Sequence, residues 1–234
     1  EALNFDGMFK NACVVVLTRA NADELVPPPP LRNPLTWKPF LEPPLSNRGT
    51  SRVSCPIATL EDLPTPGEFL PIDAEFVCLE PDVVKTLPSG ATVLVRPMHL
   101  SLARVSVLRA DGRVLIDDYI HNTEKVHDYL TRFSGLVPGD LDVNNPKHPV
   151  TKLKTCYLKL LWLIERGCVF VGHGLSKDFR ILNLVVPQTQ VRDTVDLFHL
   201  PKSRKISLRF LASYLLDRDI QIDTHDSIED AQSD

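Results

Sequence analysis

The chain has 234 residues, of which 43% are hydrophobic and 24% are charged, and its formal net charge is −4. That length is sufficient for one domain with a buried core, or for one domain and an appendage. The negative charge argues against a protein that coats nucleic acid by charge alone, because such proteins are usually basic. It does not exclude an enzyme that binds nucleic acid partly through metal ions.

The cysteines and the apolar runs exclude further classes. There are five cysteines, an odd number, and no pair has CxxC or CxxH spacing, so neither a disulfide framework nor a zinc site is indicated. Reduced thiols are typical of the cytosol and nucleus, and we expect a cytoplasmic protein. No apolar run approaches the roughly 18 residues that span a bilayer, so we expect no membrane partner. The chain opens at Glu1 rather than Met, and we expect it to be a segment of a longer protein.

The N-terminal part predicts a strand and then a linker. Residues 13–17 are rich in β-branched side chains, which favour a strand, and we interpret residues 1–20 as the end of an upstream domain. Eight prolines between residues 27 and 44 exclude helix and sheet interior, because proline lacks a backbone donor and fixes φ. We predict an extended, semi-rigid linker over residues 21–67. The alternative is a peptide docked on a neighbouring surface.

A compact domain is predicted over residues 68–234. Apolar runs predict five strands, over residues 69–79, 100–109, 113–120, 168–171 and 191–197, with a hairpin turn at Asp111-Gly112. Helical spacing predicts helices over residues 124–133, 151–166, 176–184 (capped by Ser176) and 207–216, and a last one from about Ser227. This order predicts an α/β fold with a mixed five-stranded sheet, its first three strands antiparallel, flanked by helices and preceded by the Pro-rich extended segment.

The first chemical motif is Asp73-x-Glu75 on the first predicted strand. Side chains two apart on a strand point to the same face, so the two carboxylates lie side by side. Adjacent carboxylates repel each other unless a positive charge lies between them. Hard oxygen ligands suit Mg²⁺ or Mn²⁺, so the pair is a candidate metal site. The alternative is a solvated strand face.

The second motif follows the fourth predicted strand, where a Gly-rich turn leads into a helix whose first turn carries Asp178. Ligand sites of α/β sheets favour the carboxyl ends of strands, which makes Asp178 a candidate ligand. The alternative is a carboxylate favoured there by the helix dipole. His173, between two glycines, is a candidate substrate contact, although a structural role in the turn is the preferred interpretation.

The third motif is His225, followed five residues later by Asp230 near the start of the last helix. If that helix packs beside the first strand, Asp230 faces the Asp73/Glu75 pair and His225 reaches a water near it. Asp226 and Glu229 are interpreted as complements of the helix dipole. Two further acids lie on the fifth predicted strand, and we interpret Asp193 as structural and Asp196 as exposed.

A basic stretch precedes this acidic C-terminal part. Residues 175–209 contain seven Lys or Arg against three Asp, whereas residues 217–234 contain seven acids and one Arg. A basic patch beside a metal-binding acidic site would hold an RNA backbone. The candidate phosphate contacts are Lys202, Arg204 and Arg209, and the alternative is a solvated basic face.

The three motifs together resemble the DEDDh family of 3′→5′ exonucleases. The family's Asp-x-Glu motif matches Asp73 and Glu75, its second motif matches Asp178, and its His-to-Asp motif matches His225 and Asp230. The resemblance implies an RNase H-like fold, two divalent cations (Mg²⁺ or Mn²⁺) held by the four carboxylates, and His225 as general base. Two such ions lower the pKa of a bound water and stabilise the leaving oxygen.

Longer stretches resemble one branch of that family, the catalytic subunits of poly(A)-nuclease deadenylation complexes. They are residues 117–120, 134–142, 172–180, 206–211 and 225–231. The resemblance implies a poly(A)-specific exoribonuclease that shortens mRNA tails and releases 5′-AMP. It also implies a pseudokinase regulatory subunit as partner, which recruits poly(A)-binding protein.

Three consequences of this resemblance concern domains and alternatives. Residues 1–20 resemble the end of the inactive ubiquitin-hydrolase-like domain that precedes the nuclease in that branch, residues 21–67 are the linker, and residues 68–234 are the exonuclease domain, cut short in its last helix. One alternative is a DEDDh exonuclease of other RNA or DNA 3′ ends. Another is a non-catalytic scaffold with a nuclease fold, against which the presence of all five site residues argues.

Overall fold

The structure is a computed structural model that describes residues 34–45, 59–144, 147–199, 205–222 and 224–234. Residues 35–234 form one compact unit. The strand predicted at residues 13–17, with the rest of residues 1–20, lies outside the described residues. No helix among the described residues is long and apolar enough to cross a membrane.

The described residues contain a main sheet of six strands and a separate two-stranded hairpin. The strands are β1 (Phe69–Glu80), β2 (Val83–Thr86), β3 (Thr92–Arg96), β4 (His99–Leu108), β5 (Val114–His121), β6 (Val150–Lys152), β7 (Val169–Gly172) and β8 (Val191–Asp193). The main sheet has the order β6-β5-β4-β1-β7-β8. β1, β4 and β5 pair antiparallel, whereas β6, β7 and β8 join in parallel. The predicted mixed α/β sheet with three antiparallel first strands is confirmed.

The helices follow the strands in an alternating order. They are α1 (Thr131–Ser134), α2 (Leu153–Glu165), α3 (Leu175–Ile181), α4 (Thr194–Leu197), α5 (Leu208–Leu216) and α6 (Ser227–Ser233). Ser207 caps α5 by accepting a hydrogen bond from the backbone N–H of Phe210, as the sequence predicts for a helix that begins there. α6 packs across β1 and β4.

The predicted number of strands is wrong. β6 has only three residues and runs directly into α2. Two of its three residues therefore fall within the helix predicted over residues 151–166. The hairpin of β2 and β3 also escaped prediction, because its strands expose every side chain and have no buried face.

The boundaries of two helices and one strand also differ from prediction. The helix predicted over residues 124–133 is limited to α1, because Leu130 takes a left-handed φ of 51° and Asp128 is drawn to Cys78 by an isolated bridge. Ser176 does not cap α3, because the helix begins at Leu175 and its N-cap is Gly174, with a φ of 84°. The predicted strand over residues 191–197 ends at Asp193, whose side chain caps α4.

Two apolar clusters cover the two faces of the sheet. The larger cluster joins the faces of β1 and β4 to α2 and α3 through side chains such as Ile72, Leu160 and Phe179. The smaller one lies on the opposite face, around Val77 and Tyr119. One ion pair is buried under α2, where Lys159 Nζ lies 2.9 and 2.8 Å from the two carboxylate oxygens of Asp118.

Part of the Pro-rich segment packs against the domain. A 3-10 turn covers Lys38–Leu41, so the prediction that no helical turn forms here is wrong; proline is compatible with the first turn of a helix. Phe40 meets Trp162 of α2 edge-on, with ring centroids 5.7 Å apart. The backbone N–H of Leu45 donates to the carbonyl of Val150 at 2.8 Å, and Thr155 donates to Glu42 at 2.7 Å. Residues 35–45 therefore belong to the compact unit.

Candidate active site

The site is built on β1, an interior strand of the main sheet. Side chains alternate along a strand, so Ile72 and Ala74 enter the larger apolar cluster while Asp73 and Glu75 point to the opposite face. Glu75 is 7% exposed, and Asp73 is partly exposed. This is the side-by-side arrangement that the spacing predicts.

Helix α6 brings a third carboxylate to this face. Its N-cap is Asp226, which accepts hydrogen bonds from the backbone N–H groups of Ile228 and Glu229. One turn later, Asp230 is only 3% exposed. One ligand oxygen from each of Asp73, Glu75 and Asp230 lies within 4.8 Å of the others. The structure thus brings together two motifs that are more than 150 residues apart in the sequence.

The fourth predicted ligand, Asp178, lies in the first turn of α3 and is partly buried. Its charge is close enough to raise the pKa of Asp73, but it is not within the 4.8 Å group. A fifth acid, Asp234, also acts on Asp73 and was not predicted. Thr194 at the start of α4 donates to its Oδ1 at 3.0 Å. No sequence motif includes Asp234, so its place in the site is visible only in the structure, where the end of α6 meets the start of α4.

Burial and mutual repulsion raise the pKa values of these carboxyl groups. Desolvation, followed by repulsion from Glu75, Asp230 and the other acids, holds the pKa of Asp73 well above its ordinary value. Desolvation is also the first cause for Glu75, Asp178 and Asp234, and it raises each pKa to about 7. His225, Arg104 and Lys177 offset this rise only in part, so a cation between the acids would supply the missing positive charge.

Buried oxygens without partners show where a cation fits. Among the described residues, Glu75 Oε1, Asp230 Oδ1 and Asp234 Oδ2 are buried without a hydrogen-bond partner. Buried polar atoms are normally satisfied, so these oxygens are open to a ligand, and those of Glu75 and Asp230 belong to residues of the 4.8 Å group. Carboxylate oxygens are the ligands that Mg²⁺ and Mn²⁺ prefer. The donor set therefore fits divalent cations.

His225 lies directly beside Asp230. Its Nδ1 is 3.2 Å from Asp230 Oδ2, which also accepts a hydrogen bond from Gln221 Nε2 at 2.9 Å. The hydrogen bond to Asp230 raises the pKa of His225, against a smaller lowering by burial. The side chain remains 36% exposed, so the ring is accessible from solvent.

The other predicted contacts have mixed outcomes. The Nδ1 of His173 is 2.9 Å from Thr194 Oγ1, which fits the preferred structural role. Arg209 is exposed on α5, and its Nη1 donates to the carbonyl of Gln221. Lys202 and Arg204 lie outside the described residues.

The remaining acids take the roles predicted for them. Asp193 accepts hydrogen bonds from the N–H groups of Gly174 and Val195, so its predicted structural role is confirmed. Asp196 is exposed, as predicted, although it lies on α4 rather than on a strand. Asp226 caps α6, as the dipole argument requires, and it also makes an ion pair with Arg104 that was not predicted.

A mixed sheet that gathers buried carboxylates between an interior strand and a crossing helix is the framework of a nuclease of the exonuclease type. The sequence profile of the Exonuclease family RNase_T matches residues 70–234, and the chain belongs to this family. The predicted family and its RNase H-like fold are confirmed.

A similar protein and a similar solved structure both come from one branch of this family. The PAN2-PAN3 deadenylation complex catalytic subunit PAN2 of Cryptococcus neoformans is 48% identical over 240 residues, covering 99% of this chain and 20% of the relative. The structure of the Neurospora crassa Pan2 catalytic unit (protease and nuclease domain) is 46% identical, with a TM-score of 0.62 over 73% of this chain and 26% of that one.

A Saccharomyces cerevisiae structure contains RNA. It is the Pan2 pseudoubiquitin hydrolase-RNA exonuclease module in complex with A7 RNA, which is 37% identical with a TM-score of 0.68 over 85% of this chain and 31% of that one. The predicted resemblance to the catalytic subunits of deadenylation complexes is confirmed. The chain spans about a fifth of the length of the curated relatives it matches.

Proposed function

We propose that the chain is the nuclease part of a poly(A)-specific 3′→5′ exoribonuclease, which shortens mRNA poly(A) tails and releases 5′-AMP. The observation that carries this proposal is the convergence of Asp73, Glu75 and Asp230, with buried oxygens that lack partners. The specificity for poly(A) is supported by relatives that are named as catalytic subunits of deadenylation complexes.

Two divalent cations, Mg²⁺ or Mn²⁺, would be held by Asp73, Glu75, Asp178 and Asp230. When bound, such ions activate a water and neutralise charge on the scissile phosphate and the leaving 3′-oxygen. The carboxylates themselves would hold the ions, with Glu75 and Asp230 buried and Asp73 and Asp178 partly exposed. Asp234 adds a fifth negative charge at the edge of the group.

His225 is proposed as the general base. Its Nδ1 faces Asp230, so a neutral ring that donates from Nδ1 keeps the lone pair of Nε2 free to accept the proton of the attacking water. An Asp–His contact fixes the tautomer and the orientation of the ring. A histidine suits this task because its pKa lies near physiological pH, so the ring can both accept and release a proton.

RNA and protein partners complete the proposal. Lys202, Arg204 and Arg209 would contact phosphates, and His173 would support the turn beside the site. The partners are poly(A) RNA and, as the relatives' names suggest, a second subunit of a deadenylation complex. That subunit is proposed to be a pseudokinase that recruits poly(A)-binding protein, in the cytoplasm. Residues 1–20 would end a ubiquitin-hydrolase-like domain, and residues 21–67 would join it to the nuclease over residues 68–234.

The test is a time course on 5′-labelled oligo(A) with Mg²⁺. We expect products that shorten from the 3′ end, and a loss of at least about 100-fold for Asp73→Asn and His225→Ala. Asp196→Asn, which changes an exposed acid away from the site, serves as control and should retain activity. Unchanged turnover in either site variant contradicts the assignment.

The substrate range separates the alternatives. Equal rates on oligo(A), oligo(U) and single-stranded DNA would favour an exonuclease of other 3′ ends. Absence of Mn²⁺ binding in calorimetry, together with absence of turnover, would favour the non-catalytic scaffold.

A further inference from the structure

A buried arginine lies beside the acidic face without being part of it. Arg104 on β4 is 6% exposed and pairs in register with Glu75 of β1. Its Nε donates to Asp117 Oδ1 at 2.7 Å, and its Nη1 reaches Asp226 Oδ2 at 3.4 Å. The guanidinium also lies 4.9 Å from the centroid of the Tyr119 ring. The arginine is therefore held between β5 and the residue that follows His225.

A second contact joins the same two elements. The hydroxyls of Ser106 and Ser227 are 2.7 Å apart, and both residues are fully buried. Ser106 also donates to Asp117 Oδ1 at 3.2 Å. A serine has one hydroxyl proton, so Ser106 gives its proton to Asp117 and accepts one from Ser227. The first residue of α6 is thus fixed to β4 through a directional hydrogen bond.

Asp226 links the arginine to the helix. Its Oδ1 caps α6 by accepting from the N–H of Ile228 at 2.9 Å, while its Oδ2 faces Arg104. Both oxygens are therefore occupied, and the carboxylate cannot rotate without losing one of the two contacts. Because Asp226 directly follows His225 in the chain, this restraint extends to the backbone of the histidine.

The opposite side of the histidine is closed by backbone. A Cβ placed on Gly135, which follows α1 with a φ of 66°, would lie 2.3 Å from the carbonyl oxygen of His225. Only a glycine permits this approach. The turn that carries His225 is consequently contacted by Gly135 at the histidine backbone, and by Arg104 and Ser106 at the two residues that follow it.

We propose that Arg104 is a positioning residue for the reaction: through Asp117 and Asp226, and together with the Ser106–Ser227 hydrogen bond, it fixes the turn that carries His225. The inference rests on the proposed role of His225 as general base. Arg104 is buried and contacts Asp117, Asp226 and Tyr119, so it acts through the geometry of the histidine. Buried ion pairs often add little net stability, and in some proteins they specify one arrangement of the chain, which is the role proposed for Arg104.

The first test measures single-turnover and steady-state kinetics on oligo(A) with the full 234-residue chain. For Arg104→Met and Asp226→Asn we expect kcat to fall about 10- to 100-fold, with KM within about 3-fold of the unaltered chain, because the alignment of the base changes. Both variants also change a charge that acts on Glu75, and Ser106→Ala separates that effect from the alignment. If Arg104 acts through Asp226, the double variant should be no slower than the slower single variant. Multiplying effects would show that the two residues act independently and would overturn the proposal.

Two further variants separate position from charge and from stability. Ser106→Ala breaks the second contact without changing any charge near Glu75, and it should also lower kcat. Arg109→Met is the matched control, because Arg109 directly follows β4 and makes an ion pair of its own. Its Nε and Nη2 donate to the two carboxylate oxygens of Glu68 at 2.8 and 3.0 Å. This control variant should lower the melting temperature and leave kcat unchanged. A normal kcat for Ser106→Ala, or a loss for Arg109→Met equal to that for Arg104→Met, would contradict the proposal.

A measurement that does not depend on turnover distinguishes this inference from the proposed function. In imidazole ¹H–¹⁵N spectra of the Mg²⁺-loaded chain, the His225 ring should give one sharp set of signals, assigned through His225→Gln. We expect these signals to broaden or divide in Arg104→Met and Ser106→Ala, and to stay unchanged in Arg109→Met. If oligo(A) is not degraded while the spectra behave in this way, the proposed function fails and the positioning of His225 stands. Unaltered His225 signals in Arg104→Met and Ser106→Ala would overturn the positioning.

Discussion

At the scale of single residues, Asp73 shows how function and stability oppose each other. Three acids act on it in addition to Glu75, and desolvation makes its charged form costly. A side chain in such a position destabilises the metal-free protein, and its presence is explained by what it binds.

Asp73→Asn should therefore stabilise the chain when metal is absent. An amide of the same shape removes one negative charge from the group, so we expect a higher melting temperature than that of the unaltered chain at pH 8 in EDTA. In Mg²⁺ the order should reverse, because the variant loses a ligand. Differential scanning fluorimetry in both buffers measures this, with Asp196→Asn as the control that shifts in neither. A lower melting temperature for Asp73→Asn in EDTA would refute the repulsion argument.

Sequence alone predicts part of this site. The alternation of a strand places Asp73 and Glu75 on one face, and the spacing of the third motif places Asp230 in the first turn of a helix. Arg104 and Asp234 could not be found in the same way. Their contacts depend on the register of β4 against β1 and on the packing of α6 beside α4, which no local pattern contains.

At the scale of elements, the ion pair between α2 and β5 determines how the helix sits on the sheet. The side chains of Lys159 and Asp118 are only 11% and 10% exposed. Desolvation raises the pKa of Asp118, although the charge and hydrogen bonds of Lys159 oppose this. The aspartate therefore depends on its partner to remain charged in the interior.

Lys159→Met should strongly reduce the stability of the chain. It leaves an unpaired buried carboxylate, a change that costs about 3–5 kcal/mol in the free energy of unfolding. Urea unfolding at pH 5 and pH 8 measures this loss, which should be larger at pH 8 because the unpaired Asp118 must then be charged. The exposed pair of Arg96 and Glu80, with 57% and 48% exposed side chains, gives the control, and Arg96→Met should cost less than about 1 kcal/mol. Equal losses for the two variants would contradict this account.

The elements themselves are predicted unevenly, for physical reasons. The long amphipathic helices α2 and α5 are found because one face is apolar, and β1, β4 and β5 because their buried residues are β-branched or aliphatic. β6 and β8 have three residues each, so pairing with a neighbouring strand determines them rather than any propensity of their own. The hairpin of β2 and β3 has no buried face that could show a pattern.

At the scale of the whole molecule, the acidic group connects folding to pH. The pKa values of Glu75, Asp178 and Asp234 rise in the folded chain from ordinary values near 4 to about 7. Groups whose folded pKa is raised bind more protons in the folded state, so their contribution is present at low pH and is lost as pH rises. His225, whose pKa is also raised, acts in the same direction.

The metal-free chain should therefore lose stability between pH 5 and pH 7.5, and divalent metal should restore it. Mg²⁺ held as proposed would bind the ionised carboxylates, so its stabilising effect should increase over the same interval. Urea unfolding at several pH values, in EDTA and in Mg²⁺, tests both statements. A stability in EDTA that rises with pH, or a Mg²⁺ effect that is the same at pH 5 and pH 7.5, would refute the linkage.

The position of α6 along the chain has a consequence during protein synthesis. This helix supplies both Asp230 and the turn of His225, yet it is made after every strand of the sheet. A ribosome-bound chain that has completed the sheet but not this helix therefore lacks Asp230, one of the three carboxylates of the group. If Asp230 and His225 have the proposed roles, the site is assembled only when this last described helix has packed on β1 and β4.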